Sequence, residues 1–125
     1  MSDEKPAGSV SKEILAAFDT MWGLHPSPVL LVRADREIIA VNQEGANLGI
    51  PLGIKCFQLS GKKKVCEGCL ANEALRDHTG KRAGAWQANL NMFTDGYWIP
   101  VKGAENLYVH FGNDITSYVR EELCR

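Results

Sequence analysis

Three of the four cysteines in this chain of 125 residues stand close together, in the stretch KCFQLSGKKKVCEGCL (55–70). Cys56, Cys66 and Cys69 have the spacing C-x9-C-x2-C. A CxxC pair puts two sulfurs on one side of a single turn, which suits a tetrahedral zinc or one corner of an iron–sulfur cluster. Cys56 comes from an adjoining segment and could close such a site. The same thiols could instead cycle between dithiol and disulfide. They could also be small apolar residues of a core, as free cysteines commonly are. A four-ligand site needs a further donor from Cys124, Asp77, His78 or an exogenous group. Cys124 is next to the C-terminus and reads as an exposed thiol. His78 would lie about 13 Å beyond Cys69 along an ideal helix, too far for the same ion. If the helix opens at Cys66, its dipole and unpaired N–H groups lower the thiol pKa values.

Composition sets the frame for those thiols. Hydrophobic residues make up 45% and charged residues 23%, with a formal net charge of −1, as in one ordinary globular domain. No global field attracts nucleic acid or an anionic membrane. The basic run Lys62–Lys64 reads as a solvated loop that could add local positive potential. No apolar run approaches the ~20 residues of a membrane span, and the polar N-terminus lacks the apolar core of a signal peptide. The expectation is a cytoplasmic protein with mostly reduced thiols.

The elements that must position the cysteines follow from hydrophobic period. Residues 1–10 read as a loose N-terminus. Over 11–24, Ile14, Leu15, Phe18, Met21 and Trp22 form one helical stripe, with Ser11 as N-cap and Gly23 and Pro26 as stops. PVLLV (28–32) and EIIAVN (37–42) read as a hairpin around RADR. Short helical pieces follow, cut by Gly49, Pro51 and Gly61. The run from Cys66 to Gly80 reads as a helix. Period 2 then takes over. GAWQANLNM (84–92) reads as a strand, TDG (94–96) as a turn, YWIPV (97–101) as a strand with Pro100 at an edge or bulge, and LYVHF (107–111) as a third strand. A final helix starts near Thr116 or Ser117. The order gives an α+β fold: a five-stranded antiparallel sheet with helices covering one face and further helices at both ends.

This ordered set resembles a PAS domain over roughly Lys12 to Leu123. The matching pieces are a leading helix ending HPSP, the hairpin VLLVRADREIIAVN whose Asn42 opens a short helix, LRDHTG before a three-stranded meander, and the DIT of NDITSYVREEL. One departure is ADRE (34–37) in the hairpin, where the family often has Asp-Gly. The resemblance implies a PAS core over 25–116, with 117–125 starting an outgoing signalling helix. It also implies a sensory or interaction module of bacterial two-component type, not an enzyme, that dimerises through flanking helices. An output domain or partner protein would receive the signal. A cofactor or small ligand would lie between sheet and helices.

The pocket-facing residues would be Trp86, Ala88 and Leu90 with Leu107, Val109 and Phe111, and Asn42 or Gln87 would offer polar contacts. His110, opposite Leu107, Val109 and Phe111, would then lie on the outer face. Haem-binding members carry a histidine near the place of Cys69, so histidine-ligated haem is disfavoured. Flavin photochemistry is disfavoured too, because IKCFQL lacks the Asn and Arg of the Asn-Cys-Arg type motif. The function expected is detection of redox state or of a bound cofactor or ligand, with Cys56, Cys66 and Cys69 as the site. The alternative is a PAS-like interaction or metabolite-binding module whose cysteines are structural.

Overall fold

The computed structural model describes residues 10–125, so residues 1–9 of the expected loose N-terminus lie outside the described residues. Helix α1 (Lys12–Trp22) starts where Ser11 caps it: the Ser11 Oγ accepts from the Ile14 amide at 3.2 Å. It stops at Gly23. Strands β1 (Val29–Arg33), β2 (Ile38–Val41), β3 (Lys81–Gln87), β4 (Met92–Val101) and β5 (Ala104–Asp114) form one antiparallel sheet in the order β2-β1-β5-β4-β3. Between β2 and β3 lie α2 (Gln43–Asn47), a 3-10 segment (Cys56–Ser60) and α3 (Ala71–Asp77).

β1 is an interior strand buried on both sides, which is why PVLLV carries no polar alternation. Its odd and even residues belong to two different cores. On the inner face Leu30 and Val32 join Ile38, Trp98 and Tyr108, and α3 lays Ala71 and Ala74 against them. These two alanines, three apart on one helix face, let α3 approach the sheet closely. On the outer face Val29 and Leu31 join Leu107, Val109 and Phe111, and α1 covers them with Phe18. The short helices cover one face, as expected, and the flanking helix α1 packs on the other. The stripe on α1 is split: Phe18 is buried and Ile14 and Trp22 pack at its sides, while Met21 is 75% exposed.

Three expectations change. First, GAWQANLNM is not one strand: β3 ends at Gln87, and Ala88–Leu90 form a 3-10 turn closed by Asn91 in the left-handed conformation (φ 51). The turn signal TDG instead lies inside β4, where Gly96 pairs with Ala83 and Gly112 between two neighbours. Second, α3 begins after Cys69. Cys66–Cys69 form a tight turn (Cys69 amide to Cys66 carbonyl, 3.1 Å), and Gly68 within it is a poor helix former. The helix ends at His78 (φ 50), two residues before Gly80. Pro100 does sit at a bulge, one of its two expected places, although in an interior strand; the register shifts between it and Val101. Third, no α-helix leaves the core at Thr116. Thr116–Tyr118 and Glu121–Leu123 are 3-10 turns. The Thr116 hydroxyl is drawn away from capping: it accepts from the Phe93 amide (2.8 Å) and donates to Asp114 Oδ1 (2.6 Å). So short a segment, with Tyr118 and Leu123 exposed, has no apolar face to hold a helix.

Candidate functional site

The inner face carries the chemistry. Cys56 and Cys69 both pack at the edge of its core, with Leu70, Leu75 and Ala83. Cys56 opens the 3-10 segment, held by its amide to the Arg36 carbonyl (2.8 Å). Cys69 ends the turn before α3, and all four cysteines are free, half-buried thiols. Burial pushes the Cys56 thiol up, and the neighbouring Cys69 and Cys66 push it further; Tyr108 and Arg36 oppose this without winning. No helix begins at Cys66, so the helix N-terminus expected beside the CxxC thiols is not there.

Zinc or an iron–sulfur cluster needs donors that converge. Among the described residues no three His, Cys, Asp or Glu side chains do so in a way that could hold a metal ion. The three cysteines do not fit such a group in this arrangement. Cys124 lies at the other end of the chain's course, its sulfur 3.8 Å from the Arg120 carbonyl.

The sheet residues sort differently from the sequence expectation. Leu107, Val109 and Phe111 lie on the outer face under α1, away from the cysteines. Tyr108 occupies the inner face, and His110, expected outside, shares its side of β5. Alternation separates two faces but does not say which helix covers which. Ala88 and Leu90 sit in the β3–β4 turn, where Leu90 is 54% exposed, so neither lines the sheet. Trp86 and Gln87 end the edge strand β3, and the Gln87 amide reaches Thr94 Oγ1 at 3.5 Å.

Asn42 is not free to meet a ligand. Its Oδ1 accepts from the Val29 amide (2.9 Å) and the Gly45 amide (3.0 Å). Its Nδ2 faces the carbonyls of Trp22, His25 and Ser27 at 3.2, 3.1 and 2.9 Å. It ties the end of α1, the start of β1 and the first turn of α2 together.

Two inner-face groups were not among the expected site residues: Arg36 was read only as a departure in the turn, and His110 was placed on the outer face. Arg36 is only 3% exposed and holds φ 78, the left-handed conformation that glycine takes freely. For arginine that conformation costs about 1–2 kcal/mol. The one signal was its place in the turn, where the resemblance expects glycine. His110 stacks on Trp98 (ring centroids 5.0 Å apart), and its Nδ1 must donate to the Tyr97 carbonyl at 2.8 Å, since a carbonyl can only accept. Desolvation holds its pKa below the usual value, and the positive charge of Arg36 adds to this; the Tyr97 bond opposes it.

A pH dependence follows. The unfolded chain takes up a proton on His110 near pH 6.5, before the folded state does. Stability is whole above that pH and is lost as pH falls toward the folded pKa, by at most about 1.4 kcal/mol per pH unit for one proton. Urea midpoints at pH 7.5 and 5.5 should therefore differ less in His110→Gln than in the parent. An equal difference would show that the buried ring does not titrate this way.

Searches for related proteins bear on the fold. No protein-family model and no curated protein matches the sequence. Solved structures do match. A domain of an HTR-like protein from Haloarcula marismortui has 16% identity and a TM-score of 0.53, over 73% of this chain and 99% of that one. A sensory box sensor histidine kinase from Vibrio cholerae has 14% identity and a TM-score of 0.52, over 87% of this chain and 98% of that one. An RNA-binding light-oxygen-voltage receptor has 15% identity and a TM-score of 0.57, over 99% of this chain and 39% of that one. The chain has the PAS fold. Within the PAS fold, Cys56, Cys69 and Tyr108 lie between the sheet and its short helices, while α1 lies on the other side. No helix among the described residues is long and apolar enough to cross a membrane.

Proposed function

We propose that this chain is a PAS-type sensory module that reads redox state through Cys56 and Cys69 and passes the change on by altered association. The observation that carries this reading is the placement of both thiols on one inner-face cluster, from two separate elements. The structurally similar sensor kinase and light-oxygen-voltage receptor are signalling proteins by name, which supports the coarser part of it.

With a hydroperoxide as oxidant, the Cys69 thiolate attacks the O–O bond and becomes a sulfenic acid, and water leaves after proton transfer. The Cys56 sulfur then attacks the Cys69 sulfur; an S–S bond forms and the sulfenic hydroxyl leaves with the Cys56 proton as a second water. Two thiols lose two electrons and one hydrogen peroxide becomes two waters. Burial disfavours the Cys56 thiolate, which assigns the first attack to Cys69 and requires Cys56 to give up its proton as it attacks. The bond would tie the 3-10 segment to the chain entering α3, which rests on β4 and β5. The relay would run to the DIT exit, pinned to β4 by the Ile115 amide on the Phe93 carbonyl (2.9 Å). It would also reach α1, where Met21 and Leu24 are exposed for pairing with a second copy.

The test is peroxide treatment of the reduced, anaerobically purified chain, with disulfide mapping by mass spectrometry and sedimentation. The expected product is Cys56–Cys69, formed in Cys66→Ser and lost in Cys69→Ser, with a shift in association. A product confined to Cys66–Cys69, or stoichiometric zinc or iron in the purified protein, would overturn the dithiol reading.

A further inference from the structure

The turn between β1 and β2 contains two arginines with opposite fates. Arg33 has anions to spare: it pairs with Asp35 at 2.9 Å and with Glu37. Asp35 also meets Lys55 at 3.5 Å. Both carboxylates of the turn are thereby engaged away from Arg36. Arg36 points inward, its guanidinium 5.9 Å over the Tyr108 ring. One Nη donates to the Ala34 carbonyl (2.6 Å), the other to Asn72 Oδ1 on α3 (3.3 Å). Both acceptors are neutral. Among the described residues no carboxylate lies within ion-pair distance of this buried cation.

Its Nε is buried without a partner, and the hydroxyl of Tyr108, a residue with no exposure at all, has no oxygen or nitrogen partner and only the Cys56 thiol beside it. A guanidinium has five N–H donors; two are used, one on each Nη, and three remain, Nε–H among them. Buried polar groups are nearly always bonded, and a buried charge is normally matched by an opposite one. The nearby titratable groups do not supply it. Arg36 is felt by Cys56, Tyr108 and His110, and burial keeps each of these in its neutral form.

We propose that Arg36 and Tyr108 form the recognition end of a site for a small oxyanion, which sets its oxygens against the free guanidinium N–H groups and receives the Tyr108 hydroxyl. The shared chemistry is that of a carboxylate or an inorganic oxyanion. Such a ligand neutralises the charge and offers oxygen acceptors to the Arg36 Nε–H and the Tyr108 hydroxyl at once. It also explains why a strained arginine stands where glycine would be relaxed. Glu73 is the internal rival: its Oε2 is buried and unpartnered on the residue next to Asn72.

The experiment is thermal unfolding of the full chain in sodium acetate, sodium phosphate and sodium chloride at matched ionic strength. Acetate or phosphate should raise the midpoint saturably above chloride, and which of them does so tells the two sources apart. Arg36→Gly keeps the turn, since glycine accepts the positive φ, and should abolish the response. Tyr108→Phe should raise the half-saturating concentration about tenfold, the loss of one hydrogen bond to a charged group. Cys69→Ser should leave the response intact, so this site and the redox reading fail separately. Equal midpoints in all three salts, or an undiminished response in Arg36→Gly, would overturn the site. So would a response that appears only in Glu73→Gln, which would assign the counter-charge to Glu73.

Discussion

Asn42→Ala should lower the stability of this domain by about 3 kcal/mol or more, read as a fall in the urea midpoint at unchanged slope. The side chain is 2% exposed and meets five backbone groups. Loss of an N-cap alone costs about 1 kcal/mol. The larger part comes from the groups left behind. The carbonyls of Trp22, His25 and Ser27 converge on one amide, and alanine offers them nothing. Each buried polar group left unpaired costs about 1–3 kcal/mol unless water reaches it. Asn42→Asp separates the two roles. An aspartate caps a helix as well as asparagine does. It keeps both bonds to Oδ1 but cannot donate, and it sets a negative charge against three carbonyl oxygens. Asn42→Asp should therefore be as damaging as alanine. If it were as stable as the parent, Asn42 would be only a cap, and the junction of α1, β1 and α2 would be held by something else.

The same residue shows what the sequence makes legible. That Asn42 opens a helix follows from its place before QEGAN, and the structure bears this out. That it also closes the turn after α1 depends on carbonyls 15 to 20 residues earlier, and no local pattern encodes that. The strands near the N-terminus were legible for the same local reason: two apolar runs around a charged turn. The meander was legible in number but not in register. ANLN continues the alternation of AWQ, so period 2 ran through a turn that Asn91 makes by adopting a positive φ.

The side of the sheet was the harder matter. β5 reads Leu107, Tyr108, Val109, His110, Phe111, and hydropathy favours the odd residues for the principal core. In fact both faces are buried, because α1 folds back over one of them. The odd residues meet that helix. The even ones, Tyr108 and His110, carry the polar atoms to the inner face. A face with a phenol, an imidazole, a guanidinium and two thiols looks outward-facing by hydropathy. It is the opposite, and the conflict between composition and burial is what makes it the candidate site.

Phe18→Ala should cost about 3–5 kcal/mol, the range for emptying a buried phenylalanine position. The form of that loss bears on signalling. α1 has 11 residues, too few to stay helical alone in water, so its structure depends on docking. Phe18 is its one buried side chain, set among Val29, Leu31, Leu107, Val109 and Phe111. Trp22 adds a ring contact with Phe111 at 5.2 Å. In Phe18→Ala the outer face loses its central plug, and α1 should release before the sheet unfolds. Limited proteolysis should then cut within 12–22 while the sheet stays protected, and Trp22 emission should shift to the red at urea concentrations that leave the circular dichroism of the sheet intact. A single coincident transition with α1 still protected would mean that the helix and sheet form one cooperative unit. A signal from the inner face could then reach α1 only by unfolding the whole domain. Separate transitions would give the module a detachable element on the face opposite its thiols, the two-state part that a relay requires.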